Sequence, residues 1–260
     1  MKKMISLAML VIMLLICFAG CGKESDQSDL SYIQKKGTLV VGITDYAPMD
    51  YKDENGEWTG FDAEFARLFA AELGVEVEFF LLSDWEQKYF ELDSKNIDVI
   101  WNGLTIDENA LLNSNCSNPY VVNAQVVVMK SDIAGNYTNA DSLTELTFAV
   151  ENGSAAEKLL VGMGISDYVA QQDMAMALME VASGTADACI IDITMANAMT
   201  GEGTGYPDLS IAMRLNEEEY GVAFRKDSDV TAKFNAFLAE LMGDGTLDAL
   251  AEQYNLTLVK

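Results

Sequence analysis

Short apolar runs bounded by glycine or turn residues recur along the chain, separated by stretches in which apolar residues lie three and four apart. The first pattern predicts buried strands and the second amphipathic helices. Gly37 to Ile43, apolar on both faces, is the first predicted strand. Thr44 to Tyr51 is a loop in which Pro48 disfavours helix just before it, and Asp53-Glu54-Asn55-Gly56 carries the Asn-Gly hairpin signal. Phe61, Phe65, Leu68, Phe69 and Leu73 fall at helical spacing, with Asp62 near the start and Gly74 at the end. A strand from Val75 to Leu81, a helix from Asp84 to Leu92 and a strand from Ile97 to Trp101 follow. The third strand is expected to run into a polar turn, Asn102-Gly103-Leu104-Thr105, and then a short helix. Strands alternating with helices predict a parallel sheet with right-handed crossovers.

The same grammar restarts after Tyr120. Val121 to Met129 is one predicted strand, Leu146 to Val150 another, and a helix begins near Ser154 after Glu151-Asn152-Gly153. Its free N–H groups suit an anion or carboxylate, although Ser154 can equally be an ordinary N-cap. Asp173 to Ser183 is a helix closed by Gly184. The strand Asp187 to Asp192 ends in a carboxylate that caps the next helix or faces a ligand amine. Tyr220 to Phe224 is a further strand, and the helices Val230–Met242 and Leu247–Tyr254 end the chain around Gly243-Asp244-Gly245. The whole is an α/β chain of two units. In such sheets, ligands bind beyond the carboxyl ends of strands, which makes Asn102–Thr105 a candidate binding corner.

The amino terminus changes the picture of where the protein works. Met1-Lys2-Lys3, an apolar run from Met4 to Phe18 and Ala19-Gly20-Cys21 form a secretory signal. It looks like a bacterial lipoprotein signal covering residues 1–20, with Cys21 lipidated, followed by a flexible polar spacer over 21–30. An uncleaved anchor is the alternative. Of 16 basic residues, Lys2 and Lys3 leave with the signal, so 14 remain against 41 acidic ones, net −27. That charge argues against nucleic acid as a partner, and no second long apolar run follows. There is no histidine, which removes histidine-based nucleophile pairs and metal sites. The distant Cys116 and Cys189 form neither a zinc motif nor a disulfide framework, so no metal or cofactor is expected.

The signal with Cys21, GTLVVGITDYAPMDY, TGFDAEFARLFAAELG, DVIWNGLTI, CSNPY, VENGSAAEKLL, GTADACIIDITMA, EEYGVAFRKD and DGTLDALAEQY occur in this order. Together they resemble the extracytoplasmic solute-binding proteins of polar amino-acid ABC importers, bacterial solute-binding protein family 3, across nearly all of residues 31–256. The resemblance implies a two-lobed, type II periplasmic-binding-protein-like fold with two hinge crossings. Lobe one would be residues 31–122 and 218–260, and lobe two residues 123–217. The protein would be a monomeric, non-catalytic lipoprotein, tethered to the cell membrane through Cys21 and delivering a small ligand to a permease and its ATPase.

Site residues are implied position by position. Tyr46 would stack on the ligand side chain and Trp85 would make a second contact, unless both are core. Gly103 would offer its carbonyl, with Leu104 beside it, and Thr105 its hydroxyl and N–H. Ser154 and Ala155 would bind the ligand carboxylate, and Asp192 the α-amino group. One position departs from the family pattern: the arginine that clamps the carboxylate falls on Ala110. Either Ser154, Ala155 and Thr105 hold the carboxylate unaided, or Lys88 substitutes, or the ligand has none. Asp192 and Tyr46 in an acidic chain favour a cationic ligand. Two further readings are a dehydratase-like enzyme using Asp192 or Asp107, and a sensor lipoprotein without an importer.

Overall fold

The computed structural model describes residues 28–260, so the signal, Cys21 and most of the spacer lie outside the described residues. Thirteen strands, β1 Thr38–Ile43, β2 Tyr51–Lys52, β3 Trp58–Thr59, β4 Glu76–Leu81, β5 Val99–Thr105, β6 Asn115–Cys116, β7 Val121–Asn123, β8 Gln125–Lys130, β9 Phe148–Glu151, β10 Tyr168–Gln171, β11 Ala188–Asp192, β12 Leu209–Arg214 and β13 Glu218–Phe224, build two main sheets and the hairpin β2–β3. The first sheet runs β4-β1-β5-β13-β6, with β7 also on β13, and the second runs β10-β9-β11-β8-β12. Each is mixed where only parallel pairing was expected. β1 lies parallel to β4 and β5, but β13 runs antiparallel to β5; β11 lies parallel to β9 but antiparallel to β8. The antiparallel members come from the segments in which the chain passes between sheets, which no βαβ crossover dictates.

Val121 to Met129 is two strands in different sheets, not one. β7 pairs with β13 in the first sheet, and past Ala124 the chain enters the second as β8. The chain returns at β13, so Glu218 lies opposite Asn123 and the two crossing segments run side by side. The carboxyl end adds to this ribbon, since Val122 N–H donates to Thr257 C=O and Val259 N–H to Tyr120 C=O. Asn102–Thr105 likewise is not a turn. β5 continues to Thr105 because β13 supplies a partner, with a register shift between Gly221 and Ala223. The helix Asp29–Lys36 overlaps the end of the expected spacer, capped by Ser28 and closed by Gly37 at φ +79°.

The first sheet carries the larger core. Phe65 and Phe69 of the helix Phe61–Leu73 meet Trp101 and Phe234 in edge and tilted contacts with centroids 4.9–6.3 Å apart, and all four are fully buried. Burying rings of this size is worth about 1.5–3 kcal/mol each, so this cluster fixes how β5 is presented. Trp101 is therefore core. Cys189 is buried and Cys116 partly so, both as free thiols.

Candidate functional site

β5 brings its carboxyl end to the cleft between the two sheets, and a buried acid holds it in shape. Gly103 sits at φ +59°, and a Cβ there would lie 2.5 Å from Tyr46 Cε1 and 3.3 Å from the Tyr220 ring. Only glycine meets both demands. The Gly103 N–H donates to Asp62 Oδ2 at 2.7 Å, and the Tyr120 hydroxyl donates to Asp62 Oδ1 at 2.8 Å. Burial raises the Asp62 carboxyl to about 7. Asp62 lies in the first turn of its helix, as the sequence indicated; the N-cap is Gly60, and the Asp62 carboxylate serves the binding corner.

The expected site residues converge on one cavity of about 30 Å³ between the sheets. Trp85, Gly103, Leu104 and Thr105 line it from the first sheet's side, and Ser154, Ala155 and Asp192 from the second's. Tyr46 does not line it. It is fully buried behind Gly103, its hydroxyl donating to Asp192 Oδ2 at 3.0 Å and sharing hydrogen bonds with Thr194 and Tyr220. In this state Tyr46 has no ring face for a ligand. Asp192 accepts also from Asn123 Nδ2 at 3.0 Å and from Gln125 Nε2, both on the crossing segment. Burial, then the charge of Glu218, raises it to about 7.

Thr105 donates its hydroxyl to Glu218 Oε1 at 2.8 Å, tying the corner to the returning strand. Ser154 is the N-cap of the helix Ala155–Gly162, accepting Glu157 N–H at 3.1 Å, while Glu157 accepts Gly153 N–H at 2.7 Å. Its capping and cavity-lining roles coexist, because the helix's first N–H groups have no intrahelical acceptor.

Ala110 is fully buried in an apolar cluster with Trp85, Leu92 and Leu104, and it is not in the cavity wall. Lys88 is. It is 3% exposed, and its ammonium donates to Trp85 C=O at 3.1 Å and across the cleft to Gly153 C=O at 3.2 Å. The Trp85 and Tyr89 rings lie 4.6 and 5.0 Å from it. Burial lowers Lys88 to about 8, opposed mainly by the nearby charge of Glu151. Glu151 and Tyr89 also line the cavity and were missed in the sequence. Glu151 ends β9 as Asp192 ends β11, so the carboxylate-at-strand-end signal that marked Asp192 applied to both.

The lobes meet around this cavity. Lys158 pairs with Asp107 at 2.6 Å, and Asn152 Nδ2 donates to Asp84 Oδ2 at 3.1 Å and Glu86 Oε2 at 2.9 Å. Asp107 is engaged twice, since it also caps the helix Glu108–Asn113 through Ala110 N–H at 2.7 Å.

Among proteins of known kind, the L-cystine-binding protein TcyJ of Escherichia coli K12 is 29% identical over 265 residues, covering 95% of this chain and 94% of TcyJ. A mutant of ArgBP from T. maritima superposes with a TM-score of 0.81 at 32% identity, covering 87% of this chain and 98% of that one. The ancestral amino-acid-binding protein AncCDT-1, a precursor of cyclohexadienyl dehydratase, matches at TM-score 0.79 and 31% identity over 87% of this chain and 99% of its own. No helix among the described residues is long and apolar enough to cross a membrane. With residues 39–257 matching the family model and the cleft built as above, this chain belongs to the bacterial extracellular solute-binding proteins, family 3.

Proposed function

We propose that the chain captures a free amino acid between its lobes outside the cell and delivers it to the membrane subunits of an ABC importer. The observation that carries this reading is the inter-lobe cavity, with Asp192 on one wall and the buried ammonium of Lys88 on another. Asp192 takes the ligand's α-amino group, oriented from behind by Tyr46. Lys88 takes the α-carboxylate in place of the arginine absent at Ala110, helped by Thr105 and by Ser154 and Ala155 at the helix start. Two of its three ammonium donors go to carbonyls, which leaves one for the ligand. Trp85, the Gly103 carbonyl and Leu104 complete the wall.

Lobe one, residues 31–122 and 218–260, and lobe two, residues 123–217, swing about the paired crossings. Neither carries the whole site, so ligand favours the closed form by binding it more tightly. TcyJ is named for cystine, and ArgBP has been solved with arginine bound, which supports an amino acid as cargo. We read the chain as non-catalytic, since TcyJ and ArgBP, which it resembles over most of its length, are binding proteins. We also infer a monomer anchored through a lipid on Cys21.

Titration calorimetry on the purified chain in detergent, with L-amino acids against their decarboxylated amines, tests the reading. An amino acid should bind at least about tenfold more tightly than its amine, and Lys88→Met should remove that margin. Equal or tighter binding of the amines would mean that the α-carboxylate is not read.

A further inference from the structure

Once the α-groups are assigned, the cleft retains one acid with an oxygen that no group among the described residues satisfies. Glu151 is 3% exposed, and its Oε1 has no hydrogen-bond partner among the described residues. Burying a carboxylate in this way is costly unless a positive or donating group meets it.

The charges of the cavity wall can be matched one by one. Lys158 is paired with Asp107. Glu218 lies outside the wall and accepts from Thr105, Asn123 and Gln125 on Oε1 and from Asn216 on Oε2. What remains is one ammonium, Lys88, against two buried carboxyls, Asp192 and Glu151. A neutral zwitterion engages Asp192 with its ammonium and Lys88 with its carboxylate, and leaves Glu151 buried and alone. A ligand carrying one more positive group closes the balance. The surroundings of Glu151 also favour a cation: Asp192, Asp173 and Asp84 are the further charges acting on it, all negative, with Lys88 the one positive. The Trp85 and Tyr89 rings nearby already stabilise one cation face-on.

We propose that Glu151 is a specificity-determining residue that takes a second cationic group of the ligand, so that the substrates are amino acids whose side chain ends in an ammonium or guanidinium. This deepens the function proposed above and rests on it. It requires no new contact with the α-groups, and it gives the chain's acidity a local use.

The test is calorimetry on the purified full-length chain in detergent, comparing arginine with citrulline and lysine with norleucine. These pairs share the α-groups and differ in side-chain charge. The wild type should prefer the charged member of each pair by about 30-fold or more, and Glu151→Gln should remove that preference by weakening arginine and lysine far more than citrulline and norleucine. Glu151→Asp should keep part of the preference. Should Glu151→Gln fail to fold, the wild-type pairs decide alone. Equal affinity within the pairs overturns the proposal and leaves the amino-acid reading standing. So does a Glu151→Gln variant that melts lower and weakens charged and neutral ligands alike, since Glu151 is then only a counter-charge for Lys88. If no amino acid of either kind binds, both readings fail.

Discussion

Lys88 shows how one residue's environment sets a measurable property of the whole site. Its ammonium is held at about 8 by burial, in sight of Glu151, Asp107 and Glu86, which favour the charge, and Lys158, which opposes it. If this ammonium reads the ligand carboxylate, affinity should fall as the pH rises through 8, approaching tenfold per pH unit beyond it. Lys88→Arg, whose guanidinium does not deprotonate in this range, should flatten the profile between pH 7 and 9. Calorimetry across that range checks it, and a level wild-type profile would place the carboxylate elsewhere. Sequence signals found Asp192, Ser154 and the β5 corner, because strand ends and helix starts leave local marks. They did not reveal Lys88's burial, Tyr46's position behind Gly103 or Asp62's role, because these depend on which distant segment packs against each.

At the level of elements, closure rests on a backbone contact between the loop after β9 and the 3-10 turn Trp85–Gln87. Gly153, at φ +68°, comes so near that turn that a Cβ would lie 2.8 Å from Glu86 Cβ and 2.9 Å from its Cα. A methyl group there clashes with the opposite lobe only when the lobes are shut. Gly153→Ala should therefore weaken ligand binding by at least about tenfold, beyond the roughly 1 kcal/mol of backbone strain it adds to either state. Small-angle scattering with saturating ligand should report a more open particle than wild type, and an unchanged radius and affinity would disprove the contact's role. The elements themselves were legible to different degrees. The core strands β1, β5, β9 and β11 read directly from apolar runs bounded by turn residues. The split at Ala124 did not, because Val121-Val122 and Val126 to Met129 are apolar on both sides of the crossing and Asn123 and Gln125 read as polar positions within one strand. β12 was missed as well: its burial is only partial, so its pattern is weak.

The whole molecule concentrates buried acids near its cleft, and this gives its stability an unusual slope with pH. Asp62 and Asp192 titrate near 7 when folded, from 3.8, and burial raises Asp50 and Glu151 well above their ordinary range. With no ligand bound, these groups keep a proton in the folded chain where the unfolded chain has released it, and a cation that meets Asp192 or Glu151 displaces that proton. Stability is thus fully present below about pH 4 for these groups, and it declines as the pH rises to about 7, where Asp62 and Asp192 finish. The chain has no histidine, so no ordinary side chain titrates between pH 5 and 8 to mask the effect. A net loss of about 2 kcal/mol between pH 5 and pH 8 would lower the melting temperature by about 5 °C. General repulsion at a formal charge of −25 pushes in the same direction, but salt separates the two. At 0.5 M salt exposed charges are screened and buried ones scarcely, so the decline should persist. Asp62→Asn, which keeps an acceptor for the Gly103 N–H, should reduce the slope under that condition. A melting temperature that is level from pH 5 to 8 in high salt would show that these carboxyls find compensating donors in the folded chain.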